Sequence, residues 1–217
     1  MYRTVKRLLD VSGAVVGLVF TAPVMLIILI VVRLTMGKPV LFRQRRPGLW
    51  EQPFTCLKFR TMNNQRDHNG ALLSDERRLT RSGKLLRRTS LDELPQLVNI
   101  LKGDLSFVGP RPLLEAYTPY YTDDERRRHS VRPGLTGWAQ IHGRKQLTFE
   151  ERFSYDIFYV EHIGFLLDME ILGRTLWSLV SQKTSTVIPE IPEVALNLLR
   201  SGSICPEKFI NHNGEKK

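Results

Sequence analysis

Residues 11–32 read VSGAVVGLVFTAPVMLIILIVV, 22 consecutive residues without a charged side chain, and the path of this stretch relative to a bilayer decides the rest of the fold. Its length suffices to cross a hydrocarbon core. It is too long for the apolar region of a cleaved leader, and no small-residue cleavage site precedes a polar mature start. Pro23 stands in its middle, where proline removes one helical hydrogen bond and crowds the preceding turn. Both flanks are basic, with Arg3, Lys6 and Arg7 on one side and Arg33, Lys38, Arg43, Arg45 and Arg46 on the other. Basic flanks are retained on the cytoplasmic side, so a helix broken at Pro23, with arms of roughly 15–18 Å, is expected to dip into one leaflet and return. A single kinked span is the alternative, because membrane helices tolerate proline.

The charge distribution follows the apolar stretch. Of a net charge of +10, residues 1–50 hold eight Lys/Arg against one acid, residues 51–115 eleven against eight, and the remainder thirteen of each. Excess charge gathered around an apolar segment suits anionic headgroups, whereas a nucleic-acid binder concentrates it on a folded basic face. Membrane lipid is therefore the expected partner, and nucleic acid is not. With 42% apolar and 25% charged residues, the chain is not a disordered one. Its 217 residues fit one domain with appendages. Cys56 and Cys205 match no zinc or redox spacing, and the five histidines show no metal-ligand spacing.

Downstream, Val40–Gln44 and Phe54–Arg60 read as a short hairpin around Arg46-Pro47-Gly48. Leu91, Leu94, Leu97, Val98 and Leu101 share one helical face that ends at Gly103. Thr148 and Glu151 have capping-box spacing before a helix carrying Phe149, Phe153 and Ile157. A second apolar stretch, Phe165 to Val180, contains Asp168, Glu170 and Arg174 and reads as a core or interfacial helix. Pro189 and Pro192 open a tail with at most one short helix, Glu193 to Arg200, which reads as peripheral.

One local feature could carry chemistry: Arg87-Arg88-Thr89-Ser90-Leu91-Asp92-Glu93-Leu94-Pro95. Pro95 keeps regular helix from extending far upstream, so Asp92 and Glu93 fall near a helix start, where backbone N–H groups favour phosphate. Two acids beside two arginines could hold Mg²⁺, bind a diphosphate and offer a carboxylate nucleophile. The competing reading is a structural capping box from Ser90 to Glu93. Arg111, fixed between Pro110 and Pro112, suits a rigid two-pronged phosphate ligand or a carboxylate partner. Lys58 and Arg60 share a strand face, for phosphate or simply for solvent, and Arg126, Arg127 and Arg128 read as helix surface neutralised by Asp123, Asp124 and Glu125.

In order, Leu57-Lys58-Phe59-Arg60-Thr61-Met62, Ser90-Leu91-Asp92-Glu93-Leu94-Pro95-Gln96, Lys102-Gly103-Asp104-Leu105-Ser106-Phe107-Val108-Gly109-Pro110-Arg111-Pro112, Arg132-Pro133-Gly134-Leu135-Thr136-Gly137-Trp138-Ala139-Gln140 and the Asp156, Tyr159 and Asp168 pattern resemble the bacterial sugar transferases known as monotopic phosphoglycosyl transferases. The likeness covers about residues 3–183. It implies a re-entrant helix and an active site on the cytoplasmic face of the bacterial inner membrane. It also implies transfer of a sugar-1-phosphate from a UDP-sugar to polyprenyl phosphate, typically undecaprenyl phosphate, with release of UMP and Mg²⁺ as cofactor. By motif, Asp92 would be the nucleophile and a metal ligand, with Glu93 its partner, while Arg87 and Arg111 would contact phosphate. Lys58, Arg60 and Arg144 complete the candidate substrate-binding set. Two departures stand out: Thr21-Ala22-Pro23 where many relatives have Ser before the proline, and His142 where they usually show Asn. The likeness is to the small form, expected to have no further membrane helices before the domain, including enzymes that start glycoprotein glycans.

The expected architecture is α+β and mainly helical, with a re-entrant helix broken at Pro23, a short β-hairpin and interfacial amphipathic helices. The expected division is 1–38 for the membrane helix and basic flanks, 39–183 for the catalytic domain and 184–217 for the tail. The rival reading is a membrane-anchored basic module that binds nucleic acid or acidic lipid without catalysis.

Overall fold

The apolar stretch is the centre of one long helix, α1 (Tyr2–Met36), whose 35 residues correspond to about 52 Å. The computed structural model describes residues 2–143 and 147–181, with 196 and 200. The two expected arms belong to one helix, since α1 stays helical through Pro23. Thr21, two residues before it, donates its hydroxyl to the Gly17 carbonyl at 2.6 Å, a local bond of the kind that accommodates proline in apolar helices.

A hairpin follows, β1 (Leu41–Pro47) against β2 (Pro53–Phe59), with Leu41 opposite Phe59 and Pro47 opposite Pro53. The strands run past the expected Pro-Gly turn, and Gly48 to Gln52 closes the hairpin instead. Trp50 and Glu51 there take left-handed backbone, φ 53 and 61, which costs energy in residues other than glycine. Arg126 explains the shape, since its guanidinium donates to both Glu51 carboxylate oxygens at 2.7 Å. A partner 75 residues away leaves no mark on local turn chemistry.

Next come α2 (Asp75–Arg78), α3 (Arg81–Thr89), a tight turn over Leu91–Glu93 and α4 (Gln96–Lys102). Gly103 ends α4 in left-handed backbone, φ 97, as its position predicts. Then follow β3 (Ser106–Val108), α5 (Asp123–Arg126), β4 (Gly134–Thr136), α6 (Trp138–His142), α7 (Phe149–Glu161) and α8 (Phe165–Val180). Thr148 and Glu151 form the expected capping box on α7. A parallel pair, β3 with β4, was not foreseen. It brings two Gly-Pro-rich segments together so closely that a Cβ on Gly134 would stand 2.1 Å from the Gly109 nitrogen.

The result is the α+β, mainly helical architecture expected, and α1 is bound to it at both ends. Near its start, Lys6 and Tyr2 donate to Asp168 of α8, at 2.7 Å from Lys6. Arg7 donates to the Ile100 and Leu101 carbonyls of α4, and Asp10 accepts from Ser106 and Phe107. Near its end, Ile28 and Val32 pack with Phe59 and Leu86, and Arg60 donates to the Met36 and Lys38 carbonyls. The outward side of α1 is apolar and open, Phe20 at 78% and Leu34 at 80% exposure, and so is that of α8, with Leu166, Leu176 and Trp177. Open apolar surface on this scale marks a membrane or partner contact. Of the tail, Leu196 packs with Leu113, Tyr117, Tyr121 and Phe153, and Arg200 pairs with Glu125 at 2.7 Å. Cys56 is buried and free, while Cys205 lies outside the described residues.

Candidate active site

The turn over Leu91–Glu93 is where packing and charge divide. Ser90 closes α3 in left-handed backbone, φ 57. Leu91 and Leu94 pack into the cluster of Ile28, Val32, Phe59 and Leu86 on the second half of α1. With the leucines committed to α1, the two carboxylates point elsewhere. The Ser90 side chain makes no cap bond, so the capping-box reading does not hold.

Glu93 is locked instead by two cations. Its Oε1 accepts from Lys58 Nζ at 2.9 Å and from Arg111 Nη2 at 2.7 Å. Burial alone would push this carboxyl up, but Arg111 and Lys58 outweigh it and hold the group well below the usual carboxylate range. Lys58 comes from β2, and Arg111 from the Gly109-Pro110-Arg111-Pro112 segment. That segment is pinned by main-chain bonds, Gly109 N–H to Thr136 O at 2.9 Å and Gly134 N–H to Pro110 O at 3.0 Å. A third bond comes from Arg128, whose Nη2 donates to the Arg111 carbonyl at 2.8 Å. Arg128 pairs in turn with Asp156 of α7 at 2.6 Å, their side chains 1% and 2% exposed. A chain of polar contacts therefore runs from the buried Asp156–Arg128 pair through half-buried Arg111 to Glu93.

Asp92 is the opposite case. It is 7% exposed, yet among the described residues its carboxylate takes part in no hydrogen bond or ion pair. Burial and the adjacent Glu93 push its carboxyl up to about 6, against the pull of Lys58, Arg87 and Arg111. Near neutral pH such a group is mostly ionised, and it is more basic than an ordinary aspartate. A desolvated carboxylate among three cations suits attack on, or coordination of, a phosphorylated group.

The remaining candidates divide. Arg87, in the last turn of α3, is exposed, donates to the Thr61 hydroxyl at 3.0 Å and acts electrostatically on Asp92. Arg60 does not join the cluster: it lies one residue past β2, buried, and gives its bonds to the carbonyls of Met62, Met36 and Lys38. The even spacing that aligned it with Lys58 ends with the strand at Phe59. Arg144 lies outside the described residues. The Arg126–Arg128 run is not plain surface, since Arg126 shapes the hairpin tip and Arg128 is buried. Charge pattern alone hid this, because the acids preceding the run supplied sufficient local partners.

Among the described residues no three His, Cys, Asp or Glu side chains come together as a metal site. The donors still fit Mg²⁺, a metal that binds through one or two carboxylates, its own waters and substrate phosphates. Asp92 offers the uncommitted carboxylate, and Glu93 is taken by Lys58 and Arg111.

Comparison with known proteins gives a consistent picture. The model of a family described as bacterial sugar transferase matches residues 1–182. A Bacillus subtilis (strain 168) protein named as an uncharacterized sugar transferase is 54% identical over 79% of this chain and 85% of its own length. Proteins of Xanthomonas campestris pv. campestris and Caulobacter vibrioides are each 39% identical, over 83% and 81% of this chain. Both are named UDP-glucose:undecaprenyl-phosphate glucose-1-phosphate transferase. The match spans 40% of the length of the first and 70% of the second.

Proposed function

The chain belongs to the bacterial sugar transferase family, of the phosphoglycosyl transferase type, and on that premise we propose that it moves a sugar-1-phosphate from a UDP-sugar to polyprenyl phosphate, as undecaprenyl phosphate, by way of Asp92. The observation that carries this reading is the contrast within one turn, an uncommitted buried carboxylate beside one locked by Arg111 and Lys58.

In the proposed sequence an oxygen of ionised Asp92 attacks the β-phosphorus of the UDP-sugar. The bond from that phosphorus to the bridging oxygen breaks, UMP departs with the electron pair, and the phosphosugar remains as an acyl phosphate on Asp92. An oxygen of polyprenyl phosphate then attacks the same phosphorus, and the Asp92–phosphorus bond breaks, giving polyprenyl-diphosphosugar and free Asp92. Two steps let one carboxylate serve a soluble donor and a lipid acceptor in turn. Lys58, Arg87 and Arg111 face the charge that builds on the phosphates. Glu93, held ionised, positions Lys58 and Arg111 and is not a proton donor. Asp92 is the residue that would hold Mg²⁺, which when bound would supply neutralisation of phosphate charge.

The proposed place of the reaction is supported by the contacts of α1. Both its ends bind one domain, so a path that leaves them on opposite sides of a bilayer would have to tear those contacts. We read α1 as embedded from the cytoplasmic face without crossing, which brings the turn packed on it within reach of a lipid phosphate. The excess charge gathers around α1, whose outward side is apolar and open, which speaks for a lipid surface and against the nucleic-acid module. Reconstituted protein given a panel of UDP-sugars and Mg²⁺ should form polyprenyl-diphosphosugar, with release of UMP that is sustained only when polyprenyl phosphate is present. Sustained release of UMP with free sugar phosphate and no lipid product would point to a hydrolase instead.

A further inference from the structure

Away from Asp92 and Glu93, two neighbouring cavities lie beside the first turns of α1. One, of about 120 Å³, is walled by Arg3, Lys6, Arg7 and Arg132, with Ser130 and Trp50. The other, of about 500 Å³, lies between α1 and α8 on Leu9, Phe107, Phe165, Met169 and Leu172. Lys6, Asp10 and Val108 line both, so a cationic chamber and an apolar groove share one wall.

The charge of this lining is unbalanced. Four cations face two carboxylates, Asp10 and Asp168. Asp168 accepts from Tyr2, Lys6 and Tyr159, and Asp10 from Ser106 and Phe107. Arg7 and Arg132 bond to the carbonyls of Ile100, Leu101 and Gly103, neutral partners that leave both positive charges in place. Arg3 is exposed. The groove continues into open apolar side chains, Leu8 and Leu9 of α1 and Phe165, Leu166 and Met169 of α8.

We propose that this paired cavity binds one anionic phospholipid, with its phosphate among Arg3, Arg7 and Arg132 and an acyl chain in the groove, as a site separate from the transfer centre. Lys58, Arg87, Asp92, Glu93 and Arg111 line neither cavity. Trp50 belongs to the hairpin tip, whereas Lys58 lies near the far end of β2, and the strand from Pro53 to Lys58 covers about 17 Å. A phosphate held by Arg3 and Arg132 therefore does not reach Asp92, and the bound lipid is not an acceptor in a reactive pose. Bridging α1 and α8, the lipid stabilises the folded protein by mass action. The inference rests on the membrane location proposed above and not on the transfer chemistry, so its test uses neither donor nor acceptor.

Full-length protein in phosphatidylcholine nanodiscs is titrated with phosphatidylglycerol. The thermal midpoint is followed, and lipids retained after detergent extraction are counted by native mass spectrometry. Wild type should retain one phosphatidylglycerol in preference to phosphatidylcholine, with a midpoint that rises and saturates. Arg3→Gln should weaken the apparent affinity about fivefold. Arg3 is exposed and makes no bond that folding needs, so this variant keeps the test valid should Arg132→Gln fail to fold. Met169→Trp, which fills the groove, should also weaken retention, whereas Asp92→Asn should retain the lipid as wild type does. Equal retention in Arg3→Gln and Met169→Trp would overturn the proposal in favour of unspecific attraction. Stoichiometric displacement by polyprenyl phosphate would overturn it in favour of an acceptor site, and a midpoint shift reproduced by inorganic phosphate alone in favour of a plain anion pocket.

Discussion

Asp168 and Asp92 are both buried, 2% and 7% exposed, but the protein treats them in opposite ways. Asp168 is surrounded by donors, Lys6 at 2.7 Å, Tyr159 at 2.7 Å and Tyr2, and it fastens the start of α1 to α8. Asp156 is of the same kind, matched by Arg128. Asp92 has cations nearby and none in contact. A buried carboxylate left without a partner costs stability, and folded proteins retain such a cost where the group has work to do. The comparison separates carboxylates that hold the fold together from one kept available.

The comparison breaks most visibly by exchanging each carboxylate for its amide. Asp92→Asn should reduce turnover by roughly 10³-fold or more while the thermal midpoint stays the same or rises, because no partner is lost. Asp156→Asn should behave in the reverse sense, costing about 3–5 kcal/mol in denaturant unfolding as Arg128 is left buried and unmatched. If Asp92→Asn unfolds the protein as Asp156→Asn does, the distinction between the two classes fails.

A smaller effect is expected at Arg111. Lysine keeps a charge near Glu93 but loses the planar fork, so Arg111→Lys should lower kcat/KM by about 10- to 100-fold with the fold intact. Near-normal turnover would make Arg111 a structural partner of Glu93 only.

A further effect is in pH dependence, read in stability rather than in turnover. The Asp92 carboxyl is raised in the fold from 3.8 to about 6, so the folded state binds its proton more tightly than the unfolded chain. The associated stability is fully present below about pH 4 and lost as pH rises through about 6, a difference of about 3 kcal/mol. Wild type minus Asp92→Asn stability, measured by denaturant titration from pH 4 to 7, should fall by an amount of this order. Activity should decline below about pH 6 as the nucleophile protonates. A flat difference would mean that Asp92 titrates normally.

The sequence shows local features well and distant partners poorly. Gly103 after α4 and the Thr148–Glu151 box act within a few residues, and each appears as read. Asp92 and Glu93 were identified as a pair from their motif, but nothing in Leu91-Asp92-Glu93-Leu94 tells which one is locked. That is decided by Lys58 and Arg111, 35 and 18 residues away. Arg128 reads as surface for the same reason, its partner Asp156 being 28 residues distant. Arg60 shows the converse error, a sound alternation that stops one residue too early. At Pro23 the helix continues, and the Thr21 bond to Gly17 is the local contact that goes with it.

The most direct test of the account is the mass of the protein itself. Wild type incubated with its UDP-sugar and Mg²⁺, without lipid, should gain the mass of one phosphosugar and release at most one UMP per active site. Peptide mapping should place the adduct on Asp92, and added polyprenyl phosphate should discharge it. An adduct on Glu93 would reverse the roles assigned within the turn. UMP release that needs the lipid from the first turnover, with no adduct at any time, would contradict the account and leave Asp92 as a ligand in a direct transfer.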